Sequence, residues 1–224
     1  STTTGSSTAV DGNVTIYALN NKSAGPLTKL SLGATGDVVI ASGVNITAQS
    51  GLSVALQSDS NQNGSGSVKL AGTIDTGETA QAGNAASILI NGNVKLGGNS
   101  ALISKGSVVV TGGISRDSAG STPVNLRVNA ADLNAGSINL GQTGQLDLAL
   151  AGTLGRESKI NGAIVAASLT KSGIGQLGLF GDNVGLGAIT FRNGTLMVAP
   201  TAICGMRAEE SAKHVNSVPS ARRT

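Results

Sequence analysis

The sequence predicts an all-β protein wound as a β-solenoid, a coil of short strands that stack in parallel. Apolar residues recur at every second position, the pattern of a strand with one buried face. Short corners rich in Gly and Asn separate these strands, and Gly accounts for 33 of the 224 residues. One Tyr and two Phe are the only aromatic residues, so the core must be filled by aliphatic side chains in a narrow cross-section.

The alternating units follow one another along almost the whole chain, and no stretch shows a sustained helical period. In chain order the apolar positions are Val14/Ile16, Leu30/Leu32, Val38/Ile40, Val44/Ile46, Leu52/Val54/Leu56, Val68/Leu70, Ile88/Ile90, Val94/Leu96, Val108/Val110, Val124/Leu126/Val128, Ile138/Leu140, Leu146/Leu148/Leu150, Leu177/Leu179, Ile189/Phe191 and Leu196/Val198. The residues between them are mostly polar, which predicts a solvated outer surface.

Short corners such as Ser42-Gly43 and Asn91-Gly92 join strands of only about five residues, because Gly and Asn tolerate the backbone angles of tight turns. We expect coils of roughly 20 residues and a rod of roughly 50 Å, since stacked strands lie about 4.8 Å apart. Polar inserts at 57–67 and 75–86, and a third candidate at 116–122, are expected to bulge from the coil as loops.

Composition excludes several classes of protein. Charged residues make up 12% of the chain, about half the usual share, and they are nearly balanced over residues 1–202. Without a basic stripe or stacking aromatic rings, we expect no nucleic-acid partner. The single Cys, Cys204, excludes a disulfide framework. Such a chain can stay unfolded during export through an oxidising compartment.

One segment carries a specific pattern. Residues 168–198 read SLTKSGIGQLGLFGDNVGLGAITFRNGTLMV and resemble the autotransporter-associated β-strand repeat. The positions that match its pattern are Leu169, Thr170, Lys171, Gly173, Gly175, Leu177, Leu179, Gly181, Asn183, Gly187, Ile189, Gly194, Thr195, Leu196 and Val198. The sequence departs from the pattern after Asn183, at Val184-Gly185-Leu186. In that family the repeat helps a surface protein emerge and fold.

Residues 11–150 are similar in texture to filamentous-haemagglutinin-type exoproteins, with V-x-I strands and N-G corners. Together the two resemblances imply a right-handed parallel β-helix from a large secreted surface adhesin of a Gram-negative bacterium. They imply a host-cell or bacterial receptor or glycan as partner, and an outer-membrane secretion pore during export. The repeat favours an autotransporter, and the texture of residues 11–150 favours two-partner secretion.

The expected organisation is a β-helix over residues 1–202 and a disordered or out-of-pattern tail over 203–224. The tail contains Cys204 and His214, the only His, and these two residues are too few for a metal or nucleophile site. We expect neither a metal nor a cofactor. A solenoid cut from its parent exposes strand edges, which predicts end-to-end self-association of the chain.

Two further patterns are candidates for chemistry. Gly173–Gly178 fits G-x-G-x-x-G, but no helix pattern or spaced acid follows it, so we interpret it as a corner of the repeat. β-Helices also include polysaccharide lyases and hydrolases, which need convergent carboxylates. The closest acidic pair in the body is Asp75 and Glu78, in a polar loop. A structural, non-enzymatic segment is therefore the first hypothesis, and a β-helical carbohydrate-active enzyme is the alternative.

Overall fold

A computed structural model describes residues 8–17, 20–22, 26–49, 51–77, 86–117, 122–153 and 155–199. Within these ranges every regular element is a β-strand, and no helix is long and apolar enough to cross a membrane. The strands stack in parallel as a β-solenoid of about seven turns with about 24 residues per turn. The predicted fold class is therefore confirmed, with turns somewhat longer than expected.

The strands are short, and most have three to six residues. Their bounds are β1 Thr8–Val10, β2 Val14–Ile16, β3 Asn20–Lys22, β4 Thr28–Ala34, β5 Val38–Ile40, β6 Ile46–Ala48, β7 Leu52–Gln57, β8 Ser67–Leu70, β9 Thr73–Asp75, β10 Ile88–Asn91, β11 Asn93–Leu96, β12 Ser100–Ile103, β13 Ser107–Val110, β14 Ile114–Arg116, β15 Leu126–Ala130, β16 Asp132–Ala135, β17 Ile138–Leu150, β18 Ser158–Ile160, β19 Ile164–Ser172, β20 Gln176–Leu179, β21 Leu186–Phe191 and β22 Thr195–Val198.

Three walls run along the solenoid. The first wall is a nine-stranded sheet in the order β1-β4-β7-β10-β13-β16-β18-β20-β22. The second wall is β2-β5-β8-β11-β14, and the third is β3-β6-β9-β12-β15. Both end on β17, a 13-residue strand that pairs with β14 through its first part and with β15 through its last. Strands β19 and β21 continue these two walls.

The length of a turn changes along the chain while the strand register continues. Ile88 pairs with Val108 across a short turn, whereas the longest turn runs from Val54 to its register partner Ile88. This longest turn contains both predicted inserts. The insert 57–67 runs from the last residue of β7 to the first residue of β8. The insert 75–86 includes residues 78–85, which lie outside the described residues. Residues 118–121 of the third candidate loop, 116–122, also lie outside them.

The core consists of aliphatic columns. Because side chains alternate across a strand, every second residue points inward and meets its equivalent one turn away. Val54, Ile88, Val108 and Leu133 form one such column, and all four side chains are buried. Burial of apolar surface stabilises a protein by about 25 cal/mol per Å², so these columns are the main source of stability. The predicted outward residues, such as Lys69 and Arg127, are not buried.

Side chains at the corners satisfy backbone amides that the strands leave free. Asn13 Oδ1 accepts a hydrogen bond from the amide of Asp37 at 2.7 Å, and Asn45 Oδ1 accepts one from Thr73 at 2.7 Å. In each pair the acceptor lies one turn before the donor. The predicted Gly corners are also present: Gly43 and Gly92 have φ angles of 78° and 122°, which other residues rarely adopt.

Candidate functional site

The matched repeat, residues 168–198, forms the last turns of the described solenoid. Its leucines are core residues: Leu169, Leu177, Leu179 and Leu196 are all buried. Leu169 stacks between Leu146 and Ile189, and Leu177 pairs with Leu196. The turns here are the shortest of the described solenoid, as the pairing of Leu179 with Val198 shows.

Lys171 is the most unusual residue of the repeat because its side chain is fully buried, at 0% exposure. It occupies an inward column between Leu148 and Phe191. Its Nζ donates hydrogen bonds to the carbonyl oxygens of Ser172 at 3.0 Å, Gly173 at 2.6 Å and Asn193 at 2.9 Å. Asn193 lies one turn beyond Lys171, so the ammonium group fastens two successive turns together.

The electrostatic setting of Lys171 follows from its burial. Removal from water lowers the pKa of the Lys171 ammonium to about 8, because the charged form is the one that loses hydration. The Phe191 ring centroid lies 5.8 Å from Nζ, within the range of a cation–π contact. The lysine is therefore still mostly charged at neutral pH, and three carbonyl dipoles and one ring face surround it.

Glycines make this convergence of carbonyl groups possible. Gly173 has φ +76° and Gly194 φ +93°. A Cβ at Gly194 would lie 2.8 Å from Lys171 Nζ and 2.7 Å from the Gly173 carbonyl oxygen, and one at Gly175 would lie 2.8 Å from the Gly152 nitrogen. The Gly positions of the repeat thus leave room for the lysine and for close contact between turns.

Asn183 and Gly181 form a second fastening, at the corner between the first and second walls. Asn183 is 3% exposed; its Oδ1 accepts from the Ile164 amide at 2.9 Å, and its Nδ2 donates to the Gly181 carbonyl at 2.9 Å. The Asn183 carbonyl accepts from Leu186 instead, so the side chain replaces a backbone bond between turns. A Cβ on Gly181 would collide with the backbone of Gly162 and Ala163.

The remaining repeat positions are structural or exposed. Thr170 continues an outward column between Asp147 and Thr190, and Thr195 and Gly187 are exposed. Where the sequence departs from the repeat pattern, Val184 and Gly185 form a turn before β21 begins at Leu186. The repeat residues therefore form two separate fastenings between turns, one around Lys171 and one around Asn183.

The other sequence candidates have clear positions or lie outside the described residues. Residues 173–175 form a corner, and 176–178 already belong to strand β20, which agrees with the corner interpretation. Asp75 accepts a hydrogen bond from the Gly77 amide at 2.9 Å, whereas Glu78 is not among the described residues. The tail 203–224, with Cys204 and His214, is not among them either. Within the described ranges no three His, Cys, Asp or Glu side chains cluster as metal ligands.

Stacking also brings together two carboxylates that sequence reasoning missed. Asp132 pairs with Ser107, and Asn134 pairs with Lys159, so Asp132 and Glu157 occupy successive turns of the first wall. The buried Asp132 accepts a hydrogen bond from Ser107 Oγ at 3.0 Å. Glu157 forms a 3.0 Å ion pair with Lys159. The sequence feature that could have identified this pair is its separation of one turn along the chain. That separation can be recognised only when the length of the turn is known.

A groove lies on the outer surface of the third wall. It has a volume of about 390 Å³ and crosses four turns. One column of its lining is Asn99, Asn125 and Gln145; the other is Thr73, Ala101, Arg127 and Asp147. Ser100 and Leu126 complete the lining, and we call the groove formed by these nine residues the third-wall groove. Sequence reasoning missed it because neighbouring residues of the groove lie about one turn apart in the chain.

Comparison of the chain with protein-family models, with curated proteins and with solved structures finds no match.

Proposed function

We propose that this chain is a structural and adhesive segment of a large secreted exoprotein on the surface of a Gram-negative bacterium. The observation that carries the proposal is the uninterrupted stack of turns with an aliphatic interior and polar outer walls. Such a stack is a stiff spacer whose outer surface is repeated along its length. This architecture suits a protein that presents binding surfaces away from the cell.

The fastenings of residues 168–198 support a role for this segment in export and folding. A chain that emerges from an outer-membrane pore must form its first turns without a preformed template, and an isolated turn buries little apolar surface. Lys171 supplies a contact between successive turns in addition to the strand ladder, and Asn183 supplies the acceptor that the backbone does not provide at its corner. Such contacts lower the cost of forming the first stacked pair of turns, onto which further turns add.

Adhesion is tested with the purified chain coupled to beads. Beads carrying this protein are expected to bind cultured epithelial cells or bacterial cells above the level of beads carrying an unrelated soluble protein. Equal binding by both kinds of bead would contradict the adhesive part of the proposal. Light scattering of the same sample tests the predicted end-to-end association, which requires a mass that rises with concentration.

The folding role is tested by refolding kinetics from urea. Lys171→Met is expected to slow refolding, because the contact between turns would be absent from the folding nucleus. Lys69→Met, which removes an exposed lysine in the middle of the solenoid, is the matched control and should leave the refolding rate unchanged. A Lys171→Met variant that refolds at the wild-type rate would contradict a nucleating role.

A further inference from the structure

The shape of the third-wall groove follows from side-chain size. Thr73, Ala101, Arg127 and Asp147 succeed one another in a single outward column. Ala101 is the smallest of the four and leaves a depression between Thr73 and Arg127. Adjacent strands lie about 4.8 Å apart, so four turns give the groove a length of about 14 Å along the solenoid axis. It can accommodate a short linear chain laid parallel to that axis.

The amide side chains of the second column are held in place. Asn99 Oδ1 accepts a hydrogen bond from the backbone N–H of Asn125 at 2.9 Å, and Asn125 Oδ1 accepts one from the backbone N–H of Gln145 at 2.9 Å. These hydrogen bonds between turns use the Oδ1 atoms of Asn99 and Asn125. The Nδ2 groups of the same two side chains take no part in them and can donate to a ligand. Polar groups already fixed in position lose little conformational entropy when a ligand binds.

The charges of the groove are balanced. Arg127 is the register neighbour of Asp147, both side chains are exposed, and among the described residues neither forms an ion pair within 4 Å. A polyanion would meet the Asp147 carboxylate and a polycation the Arg127 guanidinium, so neither is favoured. A neutral chain with hydroxyl or amide groups can use both, because its groups donate as well as accept hydrogen bonds.

We propose that the third-wall groove binds a linear, uncharged oligosaccharide laid along the solenoid axis across four turns. The inference rests on the proposed adhesive function and names the ligand class of one binding surface. The groove contains no aromatic ring, so affinity depends on hydrogen bonds donated by the side-chain amides and Arg127 and on hydrogen bonds accepted by Asp147. N-acetylated hexosamine chains fit this lining best, since their acetamido and hydroxyl groups match amide donors and a carboxylate acceptor.

The test is calorimetric titration of the full chain with three probes: N-acetylglucosamine hexamer, cellohexaose and a heparin hexasaccharide. We expect saturable binding of the N-acetylglucosamine hexamer, weaker binding of cellohexaose and none of heparin. Loss of one hydrogen bond to a charged group weakens binding about tenfold, so Arg127→Gln and Asp147→Asn should each show that loss. Absence of binding to both neutral probes, or binding of heparin alone, would overturn the proposal.

Two further variants separate groove filling from loss of the fold. Ala101→Ile fills the depression with a residue that suits an outward strand position and is expected to abolish binding without a change in the urea midpoint. Lys29→Gln removes an exposed lysine on the first wall and should bind as the wild type does. Binding that is unchanged in Ala101→Ile, or lost in Lys29→Gln, would also overturn the proposal.

The bead assay distinguishes failure of this inference from failure of the adhesive function. Wild-type beads that adhere to cells while the titrations show no neutral oligosaccharide binding would overturn the groove proposal and leave the adhesive function standing. Wild-type beads that do not adhere would overturn the adhesive function, and the titrations would still decide whether the groove binds sugar.

Discussion

The middle turns of the solenoid and its last turns hold their corners together by different means. In the middle, exposed Asn side chains accept hydrogen bonds from the following turn, as Asn99 does from Asn125. In the last turns the corresponding groups are buried: Lys171 binds three carbonyl oxygens and Asn183 replaces a backbone bond. Buried polar groups need partners from the protein, and Lys171 and Asn183 both find such partners in a neighbouring turn.

Gly181→Ala is expected to have the largest effect, because the added Cβ would collide with the backbone of Gly162 and Ala163 in the preceding turn. Overpacking of this kind costs up to about 3 kcal/mol. The matched control in the middle turns is Gly97→Ala, whose Cβ would lie 3.5 Å from Ala71 Cβ, an ordinary contact. Urea unfolding measures both, and equal free energies of unfolding for the two variants would contradict the close approach of the last turns.

Lys171→Met is expected to lower the free energy of unfolding at pH 7 by about 2 kcal/mol, since three partly buried carbonyl groups lose a charged donor. The control Lys69→Met removes one side of a partly exposed 2.8 Å ion pair with Asp37 and should cost less than about 1 kcal/mol. A Lys171→Met variant as stable as the wild type would mean that the desolvation of the ammonium group cancels its hydrogen bonds.

The pH dependence of stability gives a second measurement of Lys171. The pKa of Lys171 is lowered to about 8 in the folded protein from 10.5, so between these values the unfolded chain binds more protons. Wild-type stability should therefore rise with pH over this range, by at most about 1.4 kcal/mol per pH unit. Lys171→Met should lack this rise, and an identical pH profile for both proteins would show that the pKa of Lys171 is not lowered in the folded protein.

Asn183→Ala compares the two kinds of corner amide. The variant leaves the buried Ile164 amide without its 2.9 Å acceptor, at a cost of about 1.5 kcal/mol. Asn125→Ala frees the amide of the exposed Gln145, which water can reach, so the expected loss is about 0.5 kcal/mol. Thermal unfolding of the pair decides this; a larger loss in Asn125→Ala would contradict the assignment of the buried corner to Asn183.

Protonation of Asp37 in acid should have the smallest effect on stability, and this residue lies outside the matched repeat. Burial raises the pKa of the Asp37 carboxyl, but hydrogen bonds from Lys69 and Ser67 together outweigh it, and the pKa lies below the usual 3.8. Stability from Asp37 is therefore present above pH 3.8 and is lost as the pH falls further, by less than about 1 kcal/mol for this partly exposed group. Asp37→Asn should reduce the acid-induced loss of stability, and an unchanged acid profile would contradict the shift.

The sequence allowed the wall strands and the corners to be predicted because both depend on local rules. Alternation identified inward positions such as Val54 and Val108, and Gly43 marked a corner with positive φ. The stacking partners could not be predicted, since the turns differ in length and do not follow one period. That is why Asp132 and Glu157, and the two columns of the third-wall groove, emerged only from the register.

Within residues 168–198, the resemblance identified Lys171 and Asn183 as positions that match the repeat pattern. It did not explain why a lysine and an asparagine are needed there. Alternation from the buried Leu169 gives Lys171 an inward position, but its charge alone predicts a place on the outside of the solenoid. The structure instead places it in an inward column, where carbonyl oxygens from two turns converge. The contact with Asn193, one turn further along the chain, depends on the turn length, which local patterning does not contain.

Because the turns differ in length, the turns of the rod release different lengths of extended chain when tension unfolds them. Each turn adds about 4.8 Å to the rod, whether it is the long one from Val54 to Ile88 or the short one from Leu179 to Val198. When a turn is pulled out as extended chain at about 3.4 Å per residue, the longer one releases about 115 Å and the shorter about 65 Å. A tethered rod of this kind would lengthen in steps of different size, and the largest step would mark the turn with the inserts.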